Sequence, residues 1–166
     1  MNTPLNSAQN TPEGWMRAAI EAAKDSVSLG AGGPFGACIV RDGQILAVSS
    51  NHVLVGHDPT AHAEVMAIRQ ACAQLETHLL EGAEIYSTTE PCPMCFSSLH
   101  WARVAKIYYG TGIDDVTALG FNEMPLSNLQ IRELIQSPVE IVPDFLRDEC
   151  LELLQFWQKI ESRRTY

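Results

Sequence analysis

Apolar positions along the chain recur with two periods, and the switches between them outline the elements. From Pro12, Trp15, Ala18, Ala19, Ala22 and Ala23 return at intervals of three or four, which predicts a helix capped by Thr11 and ended at Leu29-Gly30. After the glycine-rich run at 30–33, residues 35–40 and 44–49 flank Asp42-Gly43, a dipeptide suited to the positive φ angles of a type I′ turn; this is the strongest hairpin signal in the chain. Residues 51–59 read as a loop. Thr60 is the expected cap of a second helix, in which Ala63, Met66, Ala67, Ala71 and Leu75 form the apolar stripe and His62 and Glu64 occupy the first turns. A strand is predicted at 83–88, followed by a helix that Pro93 opens with Cys92 as its cap. Strands at 104–109 and 139–142 and an amphipathic helix at 147–162, burying Leu151, Leu154, Phe156 and Trp157, complete the pattern. Residues 111–138 carry no dominant period, and residues 1–11 read as a loose, flexible arm.

A hairpin followed by alternating helices and strands predicts an α/β fold with one central sheet and helices on both faces. Right-handed crossovers bring the strand-to-helix turns to one sheet edge, carrying His62 towards Cys92 and Cys95. The length of 166 residues fits a single domain over 1–166. With 46% hydrophobic and 19% charged residues and no repeat, disordered, collagenous and coiled-coil readings drop out. A formal charge of -9 disfavours a nucleic-acid partner. No segment is apolar for long enough to span a bilayer, and residues 1–11 lack a basic start and an apolar run, so a cytoplasmic chain off the membrane is expected.

Of five cysteines only Cys92 and Cys95 stand close together, which argues against a disulfide framework and for a metal site or isolated thiols. Two thiolates and the His62 imidazole suit zinc, and three protein ligands leave a fourth position for a water whose pKa the metal lowers towards neutrality. Glu64 is the candidate to take and pass on its proton. On a helix, residues two apart point to nearly opposite sides, so Glu64 is poorly placed to join His62 as a ligand. No second histidine stands four residues from His62, which excludes the H-E-x-x-H arrangement of metalloproteases. A C-x-x-C pair taken alone also fits a redox or structural metal site, the latter normally with a fourth ligand. Cys38, Cys72 and Cys150 read as core thiols, whereas His52 and His57 stand in the loop before His62 as alternative ligands or solvated side chains.

His62-Ala63-Glu64 with Pro91-Cys92-Pro93-Met94-Cys95 resembles the H-x-E…P-C-x-x-C signature of zinc nucleobase deaminases. The likeness extends through residues 32–37, 58–69, 88–103 and Gly120-Phe121, and is similar to the guanine deaminase branch of the cytidine deaminase superfamily. It implies a three-layer α/β/α sandwich with a five-stranded mixed sheet, one zinc per subunit and hydrolytic deamination of guanine to xanthine and ammonia. It also implies a homodimer, with C-terminal segments kept or exchanged between subunits. By this resemblance His62, Cys92 and Cys95 are the metal ligands and Glu64 the proton shuttle. Phe35, Asn51, Ala63 and Trp101 become substrate contacts, and Tyr166 the aromatic that folds over the site. Stacking surfaces and an amide suit a purine, and guanine's ring N–H and amino donors call for a second acid. Glu123, after Gly120-Phe121-Asn122, fills that place, although the family's first acid is here an amide; Asp114 and Asp115 read rather as helix caps.

Guanosine, another aminopurine or an aminotriazine such as ammeline are alternative substrates for the same machinery. A tRNA adenosine deaminase shares the signature but needs a basic face, for which only Lys159, Arg163 and Arg164 are available near the C-terminus. A non-catalytic zinc module is the remaining reading, and a fourth protein ligand would be its mark.

Overall fold

The Asp42-Gly43 turn behaves as its chemistry predicts. In the computed structural model, which describes residues 10–166, both residues take positive φ (53° and 71°). They join β1 (Gly36–Arg41) to β2 (Gln44–Ser50) as an antiparallel pair. The remaining elements, in chain order, are α2 (Val53–Gly56), α3 (Ala63–Leu75), β3 (Glu84–Thr89), α4 (Pro93–Trp101), β4 (Lys106–Thr111), α5 (Ile113–Thr117), α6 (Asn128–Ile135), β5 (Glu140–Val142) and α7 (Arg147–Gln158); α1 (Pro12–Ser28) precedes the hairpin. The five strands form one sheet in the order β2-β1-β3-β4-β5. β1 is antiparallel to β3, whereas β3, β4 and β5 run parallel through helical crossovers, which gives a mixed sheet.

The two-residue period of the strands sorts side chains into two cores. Ala37, Ile39, Ile85, Ile107 and Tyr109 meet Ala63, Ala67 and Ala71 of α3 and Phe96 and Leu99 of α4. Cys38, Val40 and Tyr86 face the other way, against Trp15, Met16, Ala19, Ile20 and Ala23 of α1 and Cys150 and Leu153 of α7. Tyr86 stacks on Tyr108 at 4.5 Å and receives Trp15 edge-on at 5.4 Å. The three-layer α/β/α sandwich follows directly from these two faces.

Several boundaries differ from the sequence reading. Thr60 does not cap α3: its N–H and hydroxyl both bond Asp58 Oδ1, and His62, in extended conformation, is the cap. The expected loop at 51–59 contains the single turn α2. α7 ends at Gln158; Leu153, Leu154 and Trp157 are buried, whereas Leu151 and Phe156 are half-buried. The undeciphered stretch holds α5 and α6, the latter opened by a Ser127/Gln130 capping box. The cap of α5 is Gly112; Asp115, in the first turn, supports that end by accepting from Gly112 N and pairs with Arg147 through both carboxylate oxygens, while Asp114 is exposed. Cys38 and Cys150 are core thiols and Cys72 is half-buried. Residues 1–9 of the expected arm lie outside the described residues. Asn10 accepts a bond from Trp15 Nε1, and Thr11 caps α1. Among the described residues no helix is long and apolar enough to cross a membrane.

Candidate active site

Sheet register gathers the chemically interesting turns at one edge. Gly36 at the start of β1 pairs with Ser50 at the end of β2, Ala37 with Ser87, and Thr89 at the end of β3 with Thr111 at the end of β4. Phe35, Asn51 and the Pro91-Cys92 turn therefore emerge side by side. His62 is the cap of α3 and Cys92 the cap of α4, with Cys95 in the first turn of α4, so all three face the positive ends of two helices.

His62 Nδ1 lies 3.6 Å from Cys92 Sγ and 3.5 Å from Cys95 Sγ, and the two sulfurs are 3.6 Å apart. Tetrahedral zinc with bonds of about 2.3 Å to sulfur and 2.0–2.1 Å to nitrogen requires ligand separations of about 3.5–3.8 Å. The triangle therefore has zinc's size without rearrangement. Among the described residues this is the one group of three or more ligand-type side chains so arranged. His52, with Nδ1 2.7 Å from Ser50 O, and exposed His57 at the end of α2 stay outside it. No fourth protein ligand joins from the described residues, which is the arrangement of a catalytic rather than a structural site.

The electrostatics agree with a metal-binding set. A hydrogen bond from Cys95, aided by His62, lowers the Cys92 thiol to about 4 against its burial, while that shared bond and burial push Cys95 upward. Burial opposes charge on His62, yet the bond to Cys92 and the charge of Glu64 raise its pKa overall. Glu64 sits against the triangle with Oε2 3.4 Å from Cys95 Sγ, and its Oε1 accepts from Ser87 Oγ at 3.0 Å. Its burial raises its pKa against the opposing pull of His62. Because His62 is an extended cap and not a helical residue, the opposite-sides argument for a helix does not describe the pair; Glu64 comes alongside the ligands.

Asn51 is 1% exposed, and its Oδ1 accepts from Val53 N (3.1 Å) and Gly33 N (3.4 Å). Two donors facing Oδ1 fix the orientation of the amide and leave Nδ2 buried without a partner. Gly32 makes room, since a Cβ there would overlap the carbonyl and side-chain oxygens of Asn51. Phe35 packs edge-on against Phe121 at 5.0 Å, and Phe121 meets Tyr166 at 5.6 Å. Tyr166 accepts from Gly33 N through its hydroxyl and from Asn122 N through its carbonyl, on its own chain. Glu123 is half-buried within electrostatic reach of Cys92, His62 and Glu64, and burial raises its pKa. Glu64 and Glu123 thus stand by the triangle, with Tyr166 within electrostatic reach of both, and Phe35 and Asn51 join Tyr166 through Phe121 and Gly33 at the same sheet edge.

Trp101 falls elsewhere, whereas Ala63 stays between His62 and Glu64. Ala63 is fully buried, its methyl packed in the core beneath α3. Trp101 ends α4, roughly 13 Å of helix away from Cys92, and is 77% exposed beside a groove lined by Ile68 and Cys72. It does not reach this chain's own site. Sequence reasoning passed over Ser87, whose signal is a polar residue two positions after Ile85 on the same inward face of β3. It also passed over Asn128, which donates to the Pro91 carbonyl through Nδ2 and to Glu90 through its backbone N–H, bracing the turn before Cys92.

Residues 9–111 match the family described as cytidine and deoxycytidylate deaminase zinc-binding region. The chain is 37% identical to the guanine deaminase of Bacillus subtilis over 158 residues, 93% of this chain and 98% of that protein. It is 34% identical to the tRNA-specific adenosine deaminase of the same organism over 90% of this chain and 91% of that one. A solved guanine deaminase structure from Nitrosomonas europaea superimposes with a TM-score of 0.80 at 28% identity, covering 95% of this chain and 94% of the other.

Proposed function

This chain belongs to the deaminase family defined by the cytidine and deoxycytidylate deaminase zinc-binding region, and from that premise we propose that it hydrolyses guanine to xanthine and ammonia. It is a hydrolase of C–N bonds with zinc as cofactor, held by His62, Cys92 and Cys95. The chemistry zinc supplies here, when bound, is acidification of a water molecule near neutral pH. The protein's own groups do the rest. Glu64 takes the proton of the attacking water, passes it to the purine ring nitrogen, and then assists departure of ammonia from the amino-bearing carbon. Glu123 accepts a purine N–H donor and assists that transfer. Phe35 offers a ring face to the base, and Tyr166 closes the site from the direction of Gly33.

Asn51 carries the substrate reading. Its acceptor oxygen is engaged by two backbone N–H groups, so the amide offers the base one donor and not the bidentate pairing an unconstrained amide makes. A buried donor without a partner costs about 1–3 kcal/mol until something accepts from it, and a purine carbonyl is such an acceptor. The tRNA-specific relatives favour a second reading, adenosine deamination in RNA. The charge of -9 and the packing of Tyr166 on Gly33 and Phe121 support the free base instead.

We further place the enzyme in the cytoplasm as a homodimer. Free cysteines without disulfides among the described residues suit a reducing compartment, and exposed Trp101 beside the α3/α4 groove suits burial by a second copy. The test is kcat/KM of the zinc-replete protein on guanine, guanosine, adenine, ammeline and an adenosine-containing tRNA anticodon arm. Guanine should lead; preference for guanosine or ammeline overturns the bare-purine reading, and preference for the RNA establishes the second one.

A further inference from the structure

β3 delivers to the site a side chain that the mechanism above does not use. Ser87 pairs with Ala37 across β1 and β3, turns towards α3, and is 2% exposed. Its Oγ lies 3.0 Å from Glu64 Oε1 and 2.7 Å from the Thr89 carbonyl oxygen. A hydroxyl has one proton to give and lone pairs with which to accept. Both acceptors lie within its reach, and among the described residues no other side chain bonds Glu64 Oε1.

We propose that Ser87 is a positioning residue for Glu64, its hydroxyl, seated between Glu64 Oε1 and the Thr89 carbonyl, holding the carboxyl against Cys95. This rests on the reading of Glu64 as the proton shuttle. A glutamate has three rotatable bonds, and a general base displaced by an ångström loses much of its effect. A serine that merely fills the strand would contribute packing and nothing to turnover.

The zinc-loaded wild type is compared with Ser87→Ala, Ser87→Thr and Ser87→Val on whichever base of the substrate panel the wild type turns over best. Thr and Val share a branched shape and differ by the hydroxyl. Ala and Val should keep one zinc per chain and a KM within about threefold, with kcat reduced by about tenfold or more; Thr should recover most of the loss seen in Val. Wild-type kcat in Ala, or equal kcat in Thr and Val, overturns the proposal. Failure of the guanine reading looks different, as a wild type idle on guanine. A substrate-independent arm compares unfolding of zinc-loaded Ser87→Ala, Glu64→Ala and the double variant. The two effects should fail to add, and strict additivity overturns the contact.

Discussion

A buried amide distinguishes its two ends only through its neighbours, and at Asn51 the neighbours have made that choice. Two N–H groups on Oδ1 leave Nδ2 free for the proposed bond to the base, so Asn51→Ala should raise KM for the preferred base by roughly ten- to a hundredfold, the loss of a bond of about 1–3 kcal/mol, with a smaller change in kcat. An unchanged KM would remove Asn51 from base recognition. His62→Ala should instead lose stoichiometric zinc and melt earlier, because binding and folding free energies are linked at such a site; metal analysis reads this directly. The meeting of His62, Cys92 and Cys95 was legible in the sequence because the strand-to-helix turns that carry them open at one sheet edge. The orientation of Asn51 was not, since it depends on the backbone of Gly33 eighteen residues away. Trp101 shows the limit of likeness: a motif transfers residue identity, while the direction of a side chain at the end of a nine-residue helix comes only with the fold.

Elements with a long apolar period, such as α1, α3 and the β1–β2 hairpin, were readable because their local pattern and their burial agree. α5 and α6 were not, because each is only one or two turns long and is fixed by distant partners: Asp115 by Arg147, and Asn128 by Glu90 and Pro91. The Thr60 expectation failed at the same scale, since Asp58 competes for both of its donors. These partners have measurable consequences. Arg147, bonding both carboxylate oxygens, holds Asp115 below the usual carboxylate range. The resulting stability is present above the unfolded aspartate value of about 3.9 and is lost as pH falls through the lower folded value. Asp115→Asn should therefore cost about 1 kcal/mol near pH 6, and the gap from wild type should begin to close only below about pH 3.9 in denaturant titrations. Asn128→Ala should loosen the turn before Cys92 and weaken zinc affinity by about 10- to 100-fold in chelator competition, with the sheet intact.

At the scale of the molecule, one sheet edge collects residues from β1, β2, α3, β3 and α4 into a site that a metal completes. Removing zinc with a chelator should abolish turnover and lower the melting temperature, and stoichiometric zinc should restore both. Trp101→Glu should shift the proposed dimer towards monomer in sedimentation, since a charge is costly on a face that a second copy buries; unchanged sedimentation would place the interface elsewhere. The most direct test of the account is xanthine and ammonia formation from guanine by the zinc-replete wild type beside Glu64→Ala carrying the same zinc content. The account predicts stoichiometric products from the wild type and a loss of at least about a hundredfold in the variant. An inactive wild type would contradict guanine as the substrate, and a variant near the wild-type rate would contradict Glu64 as the group that moves the proton.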